Sequence, residues 1–260
     1  MPRYAYDLHI HTCLSPCGDN EMTPPNIANM AYVKGLDLIA VTDHNSAKNA
    51  RAVMNAARDL PLTVIPGAEL TTAEEIHVVC LLPDADSAEA FDRELETHMP
   101  QIPNQPDYFG DQLLMDENEN VTGTFPWLLP NALDLSIDAV PALCEKFGGV
   151  CFPAHIDRPA NGILAVFGLL PDTPVFPTLG STTRKNSSRT RRTKLTARST
   201  GSSPRPTPTA SATWPKLCTF SSCPKTASRR CAPPSGRACA ERGPVSRPAN
   251  LVRIFVPSGK

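Results

Sequence analysis

Two histidines, His9 and His11, stand one residue apart in "YDLHIHTC", near the start of a chain that holds only six. Side chains alternate across a strand, so a strand here sends both imidazoles one way and Leu8 and Ile10 the other. Two imidazoles on one face, with the carboxylate of Asp19 downstream, have the makings of a metal site. The plainer alternative is a pair of surface histidines on an exposed strand. Three more histidines and a glutamate fall on or at the ends of apolar segments. His44 closes "LIAVTDH", Glu69 closes "TVIPGAE", His77 lies in "EIHVVCLLP" and His155 closes "GVCFPAH". One such histidine is more often a satisfied core residue; five in register call for a shared cause. His98, just before Pro100, reads as an ordinary surface residue. Asp43 reads as a group that orients a neighbouring imidazole, and Cys13 and Cys17 as bystanders beside harder donors. No Ser-His-Asp arrangement and no Gly-rich phosphate loop competes.

The elements that must position these groups alternate. "YAYDLHIHT", "LDLIAVTDH", "LTVIPGAELTT", "EIHVVCLLP" and "GVCFPAHI" read as strands. Between them, "TPPNIANMAYVKG" predicts a helix with Thr23 as N-cap, Pro24 in its first turn and Gly35 as its stop. "SAKNARAVMNAARD" predicts a helix opened by Ser46, and "SAEAFDRELETH" and "SIDAVPALCEKFG" predict two more. Residues 99 to 131 read as a polar, Pro- and Asn-rich insertion. Strand–helix alternation favours a parallel sheet or barrel with helices outside, whose reactive groups gather at the carboxyl ends of the strands.

Composition bounds the function. A net charge of −1 over 260 residues gives no reason to expect a polyanionic partner. No apolar run is long enough to span a bilayer. The opening "MPRYAYDLHI" lacks a basic-then-apolar signal segment, so the expected compartment is the cytoplasm. The nine cysteines then read as thiols or ligands rather than a disulfide framework.

The average conceals a break. No carboxylate occurs between Asp172 and Glu241, an interval rich in Ser, Thr, Pro and Ala that carries thirteen Lys and Arg. Residues 1–172 hold 25 of the 26 acids and nearly all the periodic apolar patterning. Two parts follow: residues 1–172, which carry the alternating elements and the candidate metal ligands, and residues 173–260, a basic Ser/Thr/Pro-rich tail.

The ordered set "DLHIHT", "VTDHN", "GAELTT", "IHVV" and "PAHIDRP" closely resembles the polymerase-and-histidinol-phosphatase (PHP) family of metal-dependent phosphoesterases, over about residues 5–172. The resemblance implies an α/β fold, a distorted (β/α)7 TIM-like barrel, here incomplete at its C-terminal end. It implies up to three divalent ions at the strand ends, fewer in this chain. By that resemblance His9, His11 and Glu69 hold one ion, and Glu69 bridges to a second held by His77 and His155. Asp19 and His44 serve a third. Imidazole and carboxylate donors suit Mn, Zn or Fe without choosing among them. Clustered divalent ions polarise a phosphoryl oxygen, acidify a water and stabilise a leaving alkoxide, which is the chemistry of phosphate-ester hydrolysis. His9, His11 and Glu69 are therefore catalytic candidates. Arg158 is a fourth, as a bidentate phosphate clamp or, more plainly, a surface ion-pair partner. The implied partner is a small phosphorylated substrate, a nucleotide or a short oligonucleotide, with no membrane and no protein partner indicated.

The family closes its site with a late Ser-Asp-Ala-His strand end, usually followed by Leu-Gly-Asp, and no such string occurs here. Residues 206 to 213 instead read "PTPTASAT". Shifted by one base, a Pro codon leaves a codon ending CC, which allows Ser or Ala. A Thr codon leaves one ending AC, which allows Asp or His. The string can thus be re-read as Ser-Asp-Ala-His, then Arg or Gly, Leu, Gly, Asp. From somewhere near residues 173–185 onward the chain reads as an out-of-frame translation of the family's last third. The competing reading is a genuine basic tail that binds nucleic acid or an acidic partner. Either composition buries too little apolar surface to offset chain entropy.

Overall fold

The computed structural model describes residues 4–181. Its elements run β1 (Tyr6–Ile10), α1 (Pro24–Val33), β2 (Leu38–His44), α2 (Ala50–Ala56), β3 (Thr63–Thr71), β4 (His77–Leu81), α3 (Ala85–Thr97), α4 (Pro106–Phe109), β5 (Leu113–Met115), β6 (Val121–Thr124), α5 (Val140–Lys146), β7 (Val150–Pro153) and α6 (Ile163–Phe167). This is an α/β fold. Its main sheet has the order β1-β2-β3-β4-β7. None of the described helices is long and apolar enough to cross a membrane.

The sheet is mixed rather than parallel. β1, β2 and β3 run parallel, but β4 is antiparallel to both β3 and β7. The reason is loop length. Five residues separate Thr71 from His77, enough for a hairpin and too few for the crossover a parallel neighbour needs. The reversal matters for the site, because it puts the first residue of β4, His77, beside the last residue of β3, Thr71.

Alternation sorts the side chains onto two faces. Tyr6, Leu8, Leu38, Ala40, Ile65, Val79, Leu81, Phe152 and Ala154 pack together on one. Ile39, Val41 and Val64 turn the other way, against Ile27, Ala28 and Ala31 of α1 and Val53 of α2. The expectation that Leu8 and Ile10 share a face is corrected. The β1–β2 register slips between Asp7 and Ile10, so Leu8 joins the first cluster while Ile10 packs toward the helices. An extra residue in a strand re-aims the side chains beyond it, and here it leaves both His9 and His11 turned toward Glu69.

Thr23 caps α1 as expected, its hydroxyl accepting the Asn26 N–H, with Pro24 as the first helical residue. Ser46 does not open α2. Its hydroxyl donates to the buried Asp92 of α3 at 2.8 Å, which also accepts from Lys48 Nζ and the Ala47 N–H, and α2 starts only at Ala50. The polar insertion carries structure of its own: α4 and the β5–β6 hairpin, whose turn is gathered by Asp116 accepting from the Asn118 and Asn120 N–H groups. Contacts continue past residue 172. Gly180 donates to Pro153 O and accepts from the Ile156 N–H, both at 2.8 Å, and Ser181 Oγ donates to Asp157 at 2.9 Å. Thr207 and Thr209, and with them the re-read string, lie outside the described residues.

Candidate metal centre

Glu69 is the centre of the site. It ends up inside because β2 and β3 pair in register, setting Glu69 beside His44, with Gly67 below giving β4 room to approach. A Cβ at Gly67 would meet Cys80 O at 2.3 Å. The Glu69 carboxylate is 1% exposed and lies 3.1 Å from His9 Nε2, 3.1 Å from His11 Nε2, 3.1 Å from His77 Nδ1, 3.0 Å from His155 Nε2 and 3.4 Å from His44 Nδ1. β1, β2, β4 and the turn after β7 therefore converge on one carboxylate carried by β3. His155 reaches it from a left-handed backbone, φ +25°, which a non-glycine residue adopts only under local constraint. The constraint is visible on both sides: Ala154 N–H donates to His77 O, and Ile156 N–H to Gly180 O.

The loop after β1 is built to aim His11. Asp43 is fully buried and accepts from Thr12 N–H at 2.7 Å, Thr12 Oγ1 at 2.8 Å and Ser15 Oγ at 2.7 Å. Ser15 has one hydroxyl proton, and Asp43 takes it. Its oxygen therefore accepts from the His44 N–H at 3.0 Å and from His11 Nδ1–H at 3.1 Å. With Nδ1–H held by Ser15, Nε2 is the nitrogen turned to Glu69 at 3.1 Å, and it is the one a metal would take in place of a proton. Asp43 thus orients His11 through Ser15. Asn45 secures the end of β2, its side chain accepting the Thr71 N–H and donating to Leu129 O and Asn131 O.

The electrostatics are those of a cation site. All the ion-pair partners of Glu69 among the described residues are histidines. Burial pushes its carboxyl up, but His9 and the hydrogen bonds from His11, His155 and His77 outweigh that and hold it well below the usual carboxylate range. Burial drives His44 well below the ordinary imidazole value, and drives His155 down as well. For His11 burial also pulls down, yet hydrogen bonds with Cys17 and Glu69 win and raise it well above.

The donor set fits divalent ions. His9 Nε2 and His11 Nε2 are 3.0 Å apart, and His77 Nδ1 and His155 Nε2 are 3.2 Å apart. Two nitrogens each about 2.0–2.1 Å from a shared ion stand about 3.0–3.4 Å from one another, depending on the angle. Nδ1 of His44 and of His155 are buried without a hydrogen bond. Three groups bring ligand atoms within 4.8 Å of one another: His9, His11 and Glu69; His44, Glu69 and His77; and His11, Cys17 and His44.

Two sequence expectations are corrected. Asp19 is exposed and stands outside these groups, its carboxylate accepting the Glu21 N–H at 3.0 Å. A tight turn keeps it there, with Met22 N–H bonded to Asp19 O. Cys17, read as a bystander, lies with its ligand atom within 4.8 Å of those of His11 and His44, whereas Cys13 is buried with its thiol pushed up to about 11 by that burial. Arg158 is exposed and forms no ion pair among the described residues. His98 lies away from the cluster, paired with Asp134 at 2.6 Å. Ser15 and Asn45 escaped the sequence reading because each acts through a loop closure that spacing does not reveal.

Residues 7–120 match the family model described as PHP domain. Over these residues the chain is similar to a PHP domain. The match stops short of α5, β7 and His155, so it is narrower than the resemblance drawn from the motifs. The chain is 33% identical over 76 residues to an uncharacterized protein of Methanocaldococcus jannaschii, covering 26% of this chain and 44% of that one. It is 32% identical over 79 residues to a protein of Haemophilus influenzae named 5'-3' exoribonuclease, covering 29% of this chain and 28% of that one. The chain therefore spans less than half the length of either curated relative. Among solved structures it is similar to a lesion-specific endonuclease from Pyrococcus furiosus, with a TM-score of 0.46, 16% identity, and coverage of 68% of this chain and 41% of that one.

Replacing Asp43 with Ala is expected to cost about 2–4 kcal/mol of stability, because it strands Thr12 N–H and two hydroxyls in the interior. Metal affinity should fall by about 10–100-fold, since His11 loses its orienting partner. Denaturant titration and metal binding on the same sample check both. A stable variant with unchanged affinity would remove Asp43 from the site.

Proposed function

We propose that this chain hydrolyses phosphate esters with divalent ions held by His9, His11, His44, Glu69, His77 and His155. The observation that carries the reading is one buried carboxylate ringed by five imidazole nitrogens, with no lysine or arginine to balance it among the described residues. Bound there, Mn, Zn or Fe would polarise a phosphoryl oxygen, acidify a water and neutralise the leaving alkoxide. His9, His11 and Glu69 form one ligand group, and Glu69 is shared with His77 and His155 as a second. The apolar face beneath, from Leu8 to Ala154, keeps water from the far side of the ligands. Arg158, three residues beyond His155, supplies a guanidinium for a substrate phosphate.

A small phosphomonoester, a nucleotide or a short oligonucleotide fits this chemistry. The similarity to a protein named 5'-3' exoribonuclease adds weight to the phosphodiester. The pairing of Gly180 with Pro153 and Ile156 at the free edge of β7 supports a further strand there, as a (β/α)7 barrel would have.

A second reading is a non-catalytic, frameshifted remnant, which binds metal but lacks the closing segment. The acid-free stretch after Asp172 favours it. The full chain, assayed with Mn²⁺ on p-nitrophenyl phosphate, bis(p-nitrophenyl) phosphate and a short oligoribonucleotide, separates the two. Turnover that a chelator abolishes and Mn²⁺ restores supports the enzyme. Metal binding without turnover of any of the three supports the remnant.

A further inference from the structure

We propose that Cys17, with His11 and His44, forms a mixed sulfur–nitrogen site at the solvent-facing edge of the cluster, which takes a thiophilic divalent ion such as Zn²⁺ in preference to Mn²⁺. The proposal rests on the cluster being metal-binding, and it changes which metal the chain selects. Three ligand atoms, one from each residue, lie within 4.8 Å of one another. The placement is built by the chain. Thr12 is clamped by Asp43, Ser15 N–H bonds Thr12 O at 3.2 Å, and Gly18 N–H bonds Ser15 O at 2.8 Å. Gly18 is what lets the loop fold so tightly, because a Cβ there would meet Thr12 O at 2.4 Å. The loop thereby returns Cys17 to His11, six residues earlier.

A second observation concerns the same pair of imidazoles. His44 is 7% exposed, its Nδ1 makes no hydrogen bond though it stands 3.4 Å from the Glu69 carboxylate, and its ring centroid lies 4.6 Å from that of His11. A buried imidazole nitrogen beside a carboxylate but without a hydrogen bond leaves room for a cation between them. A carboxylate in this position would suit Mn²⁺ or Mg²⁺; a thiolate suits Zn²⁺ and other soft ions. Asp19, two residues on, faces solvent and does not compete. The site shares His11 with the His9–His11–Glu69 group.

The test is cobalt spectroscopy on the full chain, stripped of metal and titrated with CoCl₂. Thiolate coordination adds a sulfur-to-cobalt charge-transfer absorption in the near ultraviolet, separate from the visible d–d bands that nitrogen and oxygen ligands give. That absorption should appear in the unaltered chain, be lost in Cys17→Ser and persist in Cys13→Ser, with the d–d bands kept in both. Independently of any variant, Zn²⁺ should protect Cys17 from iodoacetamide, read by peptide mass spectrometry. Charge transfer that survives Cys17→Ser, or d–d bands with no charge transfer and no protection, overturns the thiolate site and leaves the His/Glu cluster standing. No cobalt bands of either kind overturns both.

Discussion

Glu69→Gln should weaken divalent-metal binding, and any phosphoesterase activity that depends on it, by more than about 100-fold, since even an orienting partner of a ligand is commonly worth 10–100-fold. The substitution keeps the side chain's shape and removes the one negative charge that five imidazoles face. An amide offers a single accepting oxygen, and its NH₂ group turns a donor toward ring nitrogens that need an acceptor or a cation. Because Glu69 belongs to two of the three ligand groups, the change removes a donor from both at once. Calorimetric titration with Mn²⁺ and the p-nitrophenyl phosphate assay check it. His98→Gln is the control, as its imidazole pairs with Asp134 away from the cluster. Metal affinity in Glu69→Gln equal to that of the unaltered chain would show that the carboxylate is a structural anchor only.

The other large effect concerns the last third of the chain. Thr207 and Thr209 stand where a shifted reading frame allows Asp and His, so restoring that frame should place a carboxylate at the first and an imidazole at the second. By the family resemblance, the carboxylate would complete the first metal and the imidazole the third. Threonine hydroxyls substitute poorly for either. Two ligand losses together should cost more than the roughly 10–100-fold of one lost supporting group. The frame-restored protein is expected to hydrolyse a generic phosphate monoester with added Mn²⁺, and the chain as given to show little or none. Equal turnover under identical metal loading would mean that residues 173–260 are a working part of this protein.

Much of the site was legible because its residues lie at strand ends, where a motif and its position carry the same information. His9 and His11 are read from their spacing, His77 from its place in a strand, and His44, Glu69 and His155 from apolar runs that end at them, and the structure brings all six together. What stayed hidden depends on backbone geometry. The slip in β1 that separates Leu8 from Ile10 leaves no mark on the alternation of residue types. The reversal of β4 turned on a five-residue connection whose length meant little until the strand limits were known. Cys17 lay closer in sequence to Asp19 than to His11, and only the Gly18 turn shows which way it points. Ser46 looked like a cap until Asp92, on another helix, was seen to accept its hydroxyl.

The central claim is that Glu69 and its histidines hold metal. Metal content of the full chain, purified without chelator and dialysed against Zn²⁺ or Mn²⁺, tests it most directly. About two ions per chain are expected in this cluster, as in paired-ion phosphoesterase sites, with the number falling in His77→Ala. A folded chain that retains no Zn, Mn or Fe, or one whose metal content is indifferent to His77 and Glu69, would contradict it.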